Sequence, residues 1–211
     1  MFDFARLIEC TRMGTNYDPD TELMLRVIRG DADAFAALVE KYKQPVMNLV
    51  YHVLPDPTEA EDLAQSVFVQ VHKSAHRYKP TAKFSTWLFT IARNLCLNEI
   101  RRRSRHPAES IDQSESGGID EVARQIPDHR NTNPSDQLLR TELENKVEEA
   151  IRALPPNQRI ALLLCRQGEF SYEQIAQVLG CSLPATKSLI HRARETLKAK
   201  LKPYLKSGSW T

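Results

Sequence analysis

Residues 171–194 read SYEQIAQVLGCSLPATKSLIHRAR, and their spacing decides the architecture. Ser171 and Gln174 stand three apart as a capping box, in which hydroxyl and side-chain amide each satisfy a free backbone amide at a helix start. Gly180 ends that short helix. After a tight turn, Ser182 caps a longer helix that runs to about Leu201. Short helix, turn and longer basic helix form the helix-turn-helix order, although a plain αα-hairpin fits the same spacing. On a wheel of about 100° per residue, Leu183, Thr186, Ile190, Ala193, Leu197 and Leu201 fall on one side and pack inward. Ala185, Ser188, His191 and Arg192 fall opposite, flanked by Lys187 and Arg194. A small, polar, basic face suits the major groove, where Arg and Lys meet base acceptors or phosphates and Ser188 can do either. No second ligand stands at metal spacing from His191, so that residue reads as facing DNA or solvent.

The same helical punctuation extends outward. Pro134-Ser135 opens a helix through Leu154, which Pro155-Pro156 stops; residues 157–167 form another, closed by Gly168. Upstream, residues 107–134 read PAESIDQSESGGIDEVARQIPDHRNTNP. That segment is acidic and too poor in apolar groups to offset its ordering entropy. It is a flexible acidic linker that lets its neighbours move independently. The chain thus divides into an N-terminal tail (1–20), a helical domain (21–106), the linker (107–134) and a helix-turn-helix domain (135–205).

The first domain also reads as helix throughout. Asp20 or Thr21 caps a short helix to Ile28, and Gly30 ends it. From Asp31, Phe35, Leu38, Val39, Tyr42, Val46, Leu49, Val50 and Val53 recur at spacings of three and four until Pro55. A third helix begins near Thr58, with acids in its first turns where the dipole favours them, and an inner face of Ala64, Val67, Phe68, Val71 and Ala75. A fourth runs from about Ser85 to Arg103 over Leu88, Ile91, Ala92 and Leu95. No segment alternates with period two. The fold class is therefore all-α: two small helical domains joined by the linker.

Composition narrows the function. The 211 residues include 41% apolar side chains, 7% aromatics and only 7 glycines, which disfavours a sandwich or barrel. No apolar run approaches the roughly 18 residues that span a bilayer, and residues 1–18 lack a secretory pattern, so no direct membrane insertion is expected. Cys10, Cys96, Cys165 and Cys181 form no C-x-x-C pair; a reduced, cytoplasmic setting without a metal or cofactor follows. The net charge of +2 hides a strong asymmetry. Residues 1–106 hold 15 basic and 13 acidic side chains, residues 107–145 hold 3 and 9, and residues 146–211 hold 11 and 5. Two basic segments around an acidic spacer fit a polyanion touched at two places.

The fourth helix carries a second unusual face. Trp87, Thr90, Asn94, Asn98 and Arg101 lie within about 80° of one another. An aromatic beside amides and an arginine makes a poor core stripe but suits stacking of an unpaired base, with arginines along the strand. The bland alternative leaves Trp87 in the core and the asparagines solvated.

Five stretches together resemble the bacterial extracytoplasmic-function sigma factors of the sigma-70 family. They are Asp62-Leu-Ala-Gln65-Ser-Val-Phe68, Phe84-Ser-Thr-Trp87-Leu-Phe-Thr-Ile-Ala92-Arg-Asn94, Leu154-Pro-Pro-Asn-Gln158-Arg, Ser171-Tyr-Glu-Gln-Ile-Ala176 and Lys187-Ser188-Leu-Ile-His191-Arg192-Ala-Arg194. The resemblance covers roughly 21–106 and 135–202. It implies a subunit that binds core RNA polymerase, directs it to specific promoter DNA and helps melt the −10 region. It implies Asp62, Leu63, Gln65, Phe68, Val69 and His72 as core-polymerase contacts on the helix from Asp62 to Ala75. The −10 element would fall to Tyr78, Lys83, Phe84, Trp87, Asn94, Asn98 and Arg101. The −35 element would fall to Ser171, Tyr172, Lys187, Ser188, His191 and Arg192, and an anti-sigma factor is an implied partner. Three departures stand out. Ser66 replaces the acid that usually follows the core-binding glutamine; Pro184-Ala-Thr-Lys187-Ser188-Leu189 has leucine where the family often has arginine; and the residues before Thr21 are unmatched, with Met13 an alternative start to Met1.

Two rival functions remain. An enzyme would need a phosphate loop, clustered metal ligands or a nucleophile with its base, none of which the chain presents, so no catalysis is expected. A stand-alone helix-turn-helix transcriptional regulator would bind duplex DNA without polymerase, usually as a dimer, and would leave the Asp62–Phe68 and Trp87–Asn94 motifs unexplained.

Overall fold

The computed structural model describes residues 18–54, 56–105 and 134–206. The described residues form eight α-helices and one short 3₁₀ turn, with no strand. Helices α1 (Pro19–Ile28), α2 (Ala32–Val53), α3 (Pro57–Lys73) and α4 (Phe84–Arg105) make the first bundle, with the 3₁₀ turn Ala75–Arg77 after α3. Helices α5 (Pro134–Arg152), α6 (Pro156–Gln167), α7 (Tyr172–Leu179) and α8 (Leu183–Lys206) make the second. None of the described helices is long and apolar enough to cross a membrane. The linker expected at 107–134 and the tail before residue 18, with Cys10 and Met13, lie outside the described residues.

Local chemistry explains most boundaries. Asp31 caps α2 by accepting from the Ala34 amide at 3.0 Å, and Asp56 caps α3 by accepting from Glu59 at 3.1 Å. Asp20 and Thr21 do not cap α1, which starts earlier, at Pro19 behind Asp18. Both are pulled inward instead. Asp20 is only 3% exposed and accepts from Tyr42 Oη at 2.5 Å and from Lys41 Nζ at 2.6 Å. Thr21 Oγ1 shares a hydrogen bond of 3.0 Å with Tyr78 Oη. A buried carboxylate demands partners, and the tertiary fold outcompetes the local cap.

The core of the first bundle is Met24, Leu38, Tyr42, Val46, Leu49, Val50, Ala64, Val67, Val71, Leu88 and Ala92. Phe89 and Cys96 are fully buried on α4, while Ile91 and Leu95, expected on its inner face, are only half-buried. The register is rotated because α4 packs on two sides, against α3 and against α7. The two bundles therefore do not stand apart. Their buried apolar side chains merge into one cluster. Phe89 meets Phe170 edge to face, centroids 5.1 Å apart.

Arg159 closes the other end of this seam. It donates to the carbonyls of Val53 (2.8 Å), His52 (3.4 Å), Leu154 (2.9 Å) and Arg152. One guanidinium thus satisfies free carbonyls at the C-termini of α2 and α5 together, where the helix dipoles favour a cation.

Beside it, burial holds the His52 imidazole below its ordinary pKa, with Glu148 opposing and Arg166 and Arg152 reinforcing. The unfolded chain therefore takes up this proton before the folded chain does. Stability from this group is whole above about pH 6.5 and is lost as pH falls from there toward the lowered folded value. The thermal midpoint is expected to drop between about pH 7 and about pH 5.5, and to drop less in His52→Gln. Equal drops in the two proteins would remove His52 from this dependence.

Candidate functional site

Three surfaces collect the residues singled out from the sequence. The first is a groove of about 430 Å³ between α2 and α3, lined by Phe35, Val39, Gln65, Phe68, Val69, His72 and Lys73. The helical spacing of α3 sends Ala64, Val67 and Val71 into the core and leaves Phe68 half-buried at the rim. Val69 is 51% exposed, an apolar side chain in water that nothing in the chain covers among the described residues. His72 stands edge to face with Phe35 at 5.1 Å. Gln65, Phe68, Val69 and His72 thus come together as expected. Asp62 and Leu63 line a neighbouring depression with Glu59, Ser66, Glu99 and Arg102. Phe35 and Val39 belong to the groove although their periodicity assigns them to the core; a half-buried residue on an inner stripe carries no separate sequence signal.

The second surface is the open side of α4. Trp87 is half-buried, with its ring against Tyr78 at 5.2 Å and Phe84 at 6.2 Å. Tyr78 and Phe84 are 5% and 1% exposed, so these two do not offer open faces to a base. They are a floor instead. Phe84 packs in turn on Tyr42 at 5.4 Å, and the Tyr78 hydroxyl is held by Thr21. Aromatic pairs at these separations favour tilted contacts over sandwiches, and together they fix the orientation of Trp87. Beyond it, Asn94 and Asn98 are exposed, as is Lys83 in the preceding loop. Arg101 donates to Asn98 Oδ1 at 3.4 Å. Asn98, Arg101, Arg102 and Arg105 line a cleft of about 300 Å³. Thr90 Oγ1 is turned back onto the Thr86 carbonyl at 2.7 Å, which withdraws it from the face. Arg93 was not singled out by the wheel; it donates to Asn94 Oδ1 at 3.2 Å.

The third surface is the helix-turn-helix. The Ser171–Gln174 capping box forms in both directions, at 3.3 Å and 2.8 Å. Gly180 takes φ +61°, a left-handed conformation that other residues adopt at a cost. This closes α7 and turns the chain into α8 within two residues. Pro184 sits in the first turn of α8, where its missing N–H costs nothing. Thr186, Ile190 and Ala193 are buried, as the wheel requires. Ser171, Tyr172, Lys187, His191 and Arg192 are exposed and Ser188 is half-exposed, so all the expected −35 residues reach solvent. Leu189 is half-buried against the apolar cluster. Arg194 leans away, its Nη2 3.4 Å from Cys165 Sγ.

Comparisons with known proteins identify the family and the fold. Residues 38–106 match the family model "Sigma-70 region 2", and residues 144–197 match "Sigma-70, region 4". The RNA polymerase sigma-H factor of Pseudomonas aeruginosa is 34% identical over 191 residues, covering 90% of this chain and 98% of that protein. The ECF RNA polymerase sigma factor SigW of Bacillus subtilis is 33% identical over 179 residues, covering 84% and 94%. Among solved structures, the sigma factor RpoE of Bartonella quintana, crystallised with the anti-sigma factor NepR, superposes with a TM-score of 0.62 at 25% identity over 80% of this chain and 96% of that one. CnrH, solved with the cytosolic domain of CnrY, has the same fold at 22% identity, with a TM-score of 0.63 over 88% and 99%. Family models that match 38–106 and 144–197, with relatives matching along nearly their whole length, make this chain a member of the extracytoplasmic-function sigma factors of the sigma-70 family.

Proposed function

We propose that the chain binds core RNA polymerase through the α2–α3 groove, reads the −35 element with α8 and holds an unpaired −10 base on α4. The observation that carries this reading is the open face of α4: Trp87 on an aromatic floor, followed by exposed Asn94, Asn98 and Arg101. Carboxamide edges and an aromatic ring gain most from a base that has left its stack, and arginines neutralise the strand beside it. A regulator that binds duplex DNA alone needs α7 and α8 only, and has no use for this face or for the groove.

Each surface has a distinct task. Gln65, Phe68, Val69 and His72, with Asp62 and Leu63 one turn earlier, offer polymerase an apolar patch with polar rims. Lys83 and Arg101 supply positive charge to the displaced strand, and Tyr78 and Phe84 position Trp87 from below. Lys187, Ser188, His191 and Arg192 face the −35 duplex, with Ser171 and Tyr172 at its phosphates. No step of this work breaks a covalent bond, so the protein acts as a binding and melting subunit in the cytoplasm. An anti-sigma factor belongs to the same reading, because RpoE, its relative in structure, was crystallised with one.

The deciding experiment is reconstitution with core polymerase. The chain should co-purify with core enzyme and direct run-off transcription from defined start sites; tight protection of a promoter by the chain alone would favour the regulator. Val69→Asp places a charge in the groove without touching the core. It should abolish co-purification while leaving the thermal midpoint unchanged.

Asn94→Ala should slow open-complex formation on fully paired promoters more than on templates with a premelted −10 bubble, because unstacking costs a few kcal/mol only where the base is still paired. Equal loss on both, or none, would remove Asn94 from melting. At the other element, Lys187→Ala and Arg192→Ala should each weaken −35-dependent initiation. A base contact should cost about 1–3 kcal/mol and relax preference at one position, whereas a phosphate contact should weaken all promoters alike.

A further inference from the structure

Helix α1 lies upstream of the residues 38–106 that match the region 2 model, yet its first turn reaches the floor under Trp87. Asp20 and Thr21 stand side by side there, both buried. The Asp20 carboxylate accepts from Lys41 Nζ at 2.7 and 2.6 Å and from Tyr42 Oη at 2.5 Å, which ties α1 to α2 and fixes its rotation. With that rotation set, Thr21 Oγ1 comes to 3.0 Å from Tyr78 Oη. The Tyr78 hydroxyl donates in turn to the Ala82 carbonyl at 3.4 Å, in the loop that carries Lys83 into α4. With the Tyr78 proton directed to Ala82, Thr21 is the donor of the pair. One threonine hydroxyl thus fixes the tip of a ring whose other contact is Trp87, centroids 5.2 Å apart.

The outer torsion of a tyrosine is broad, so packing alone leaves the Tyr78 ring room to rock. A hydrogen bond at its tip removes that room. We propose that Thr21 is a positioning residue for the −10 base: through the Tyr78 hydroxyl it fixes both the Trp87 ring and the 79–83 loop in the one arrangement that accepts an unstacked base against α4. The inference rests on the reading of α4 as the strand-reading face and adds to it a residue that never touches the strand. A chain without this hydroxyl holds the arrangement for only part of the time, and its affinity for the base falls by that fraction. The share of affinity that comes from phosphates is untouched, because Thr21 carries no charge.

The test uses holoenzyme reconstituted from core polymerase and the full chain. The probe is a fluorescein-labelled fork, double-stranded through the −35 element, in which only the non-template strand continues through a −10 element mapped by run-off transcription. Competing forks that carry an abasic site at each −10 position in turn give the cost of losing each base, read by fluorescence anisotropy. In the wild type one position is expected to cost about tenfold, the scale of a single base–aromatic stack. Thr21→Val keeps the shape and removes the hydroxyl. It should weaken binding of the intact fork and leave the abasic fork as in wild type, so that the cost falls to about twofold. Thr21→Ser keeps the hydroxyl and should retain the full cost. In Thr21→Val/Tyr78→Phe both partners of the bond are gone, so the thermal midpoint should return toward wild type while the base cost stays low. Should Thr21→Val fail to fold, this double variant carries the test. An undiminished cost in Thr21→Val would overturn the proposal. So would equal weakening of intact and abasic forks, or a cost that recovers together with the midpoint. Asn94→Ala separates the proposal from the reading beneath it: an undiminished cost there at every position would sink the assignment of α4 as the reader, whatever Thr21 does.

Discussion

Helix α4 must bury Phe84, Leu88, Phe89, Ala92 and Cys96, and almost every functional feature follows from that requirement. Phe84, Leu88, Ala92 and Cys96 at spacings of four, with Phe89 beside Leu88, fix the rotation of the helix about its axis. With that rotation set, Trp87, Asn94, Asn98 and Arg101 have only one direction left to point. The interior of this contact is dry enough to push the Cys96 thiol up to about 12, which leaves it protonated and unreactive. The Tyr42 hydroxyl, buried and donating to Asp20, is pushed above its ordinary range for the same reason, with the carboxylate adding to the effect. The Tyr42 hydroxyl is thereby held on Asp20 while its ring packs on Phe84, so it helps to define the geometry of the aromatic floor.

The second bundle solves a different problem with fewer residues. Helix α7 spans eight residues, too short to persist in water by itself. It holds because both ends are closed chemically, by the Ser171–Gln174 box and by the left-handed Gly180, and because Ile175 and Val178 are fully buried. The turn it sets determines which side of α8 stays open. The half-buried position of Leu189 is a consequence of the same turn: the residue that replaces the family's arginine lies toward the apolar cluster, and Lys187, His191 and Arg192 form the exposed row without it.

Charge is distributed in keeping with this division of labour. Basic side chains gather at the C-terminal end of α4, where they also complement the helix dipole. Arg102 and Arg103 are partly neutralised by Glu99, and Arg103 also pairs with Glu59 on α3. The exposed pairs contribute little stability by themselves. Their effect is to orient guanidinium groups at the edge of the cleft that Asn98, Arg101, Arg102 and Arg105 line.

What the sequence by itself determined was everything that depends on neighbours along the chain. The helical period, the caps at Asp31 and Ser171, the stops at the prolines and at Gly168 and Gly180, and the inward stripe of α8 are local. Their energies are set within a turn or two, and they were legible together with the motifs of the family. The amide and arginine face of α4 was legible for the same reason, since a wheel needs only spacing. Tertiary structure alone decided the rest. Asp20 and Thr21 left their expected caps because Lys41, Tyr42 and Tyr78, distant in sequence, offered stronger partners to buried groups. Tyr78 and Phe84 form a buried floor rather than part of the open side of α4 because Trp87 and Tyr42 close over them. Phe35 joined the groove only when α3 packed beside it. The seam between the bundles, with Arg93 and Arg159 at its two ends, rests on contacts between residues 64 and more positions apart. Hydrogen bonds of that range depend on where whole helices come to rest, and no periodicity within a single helix encodes them.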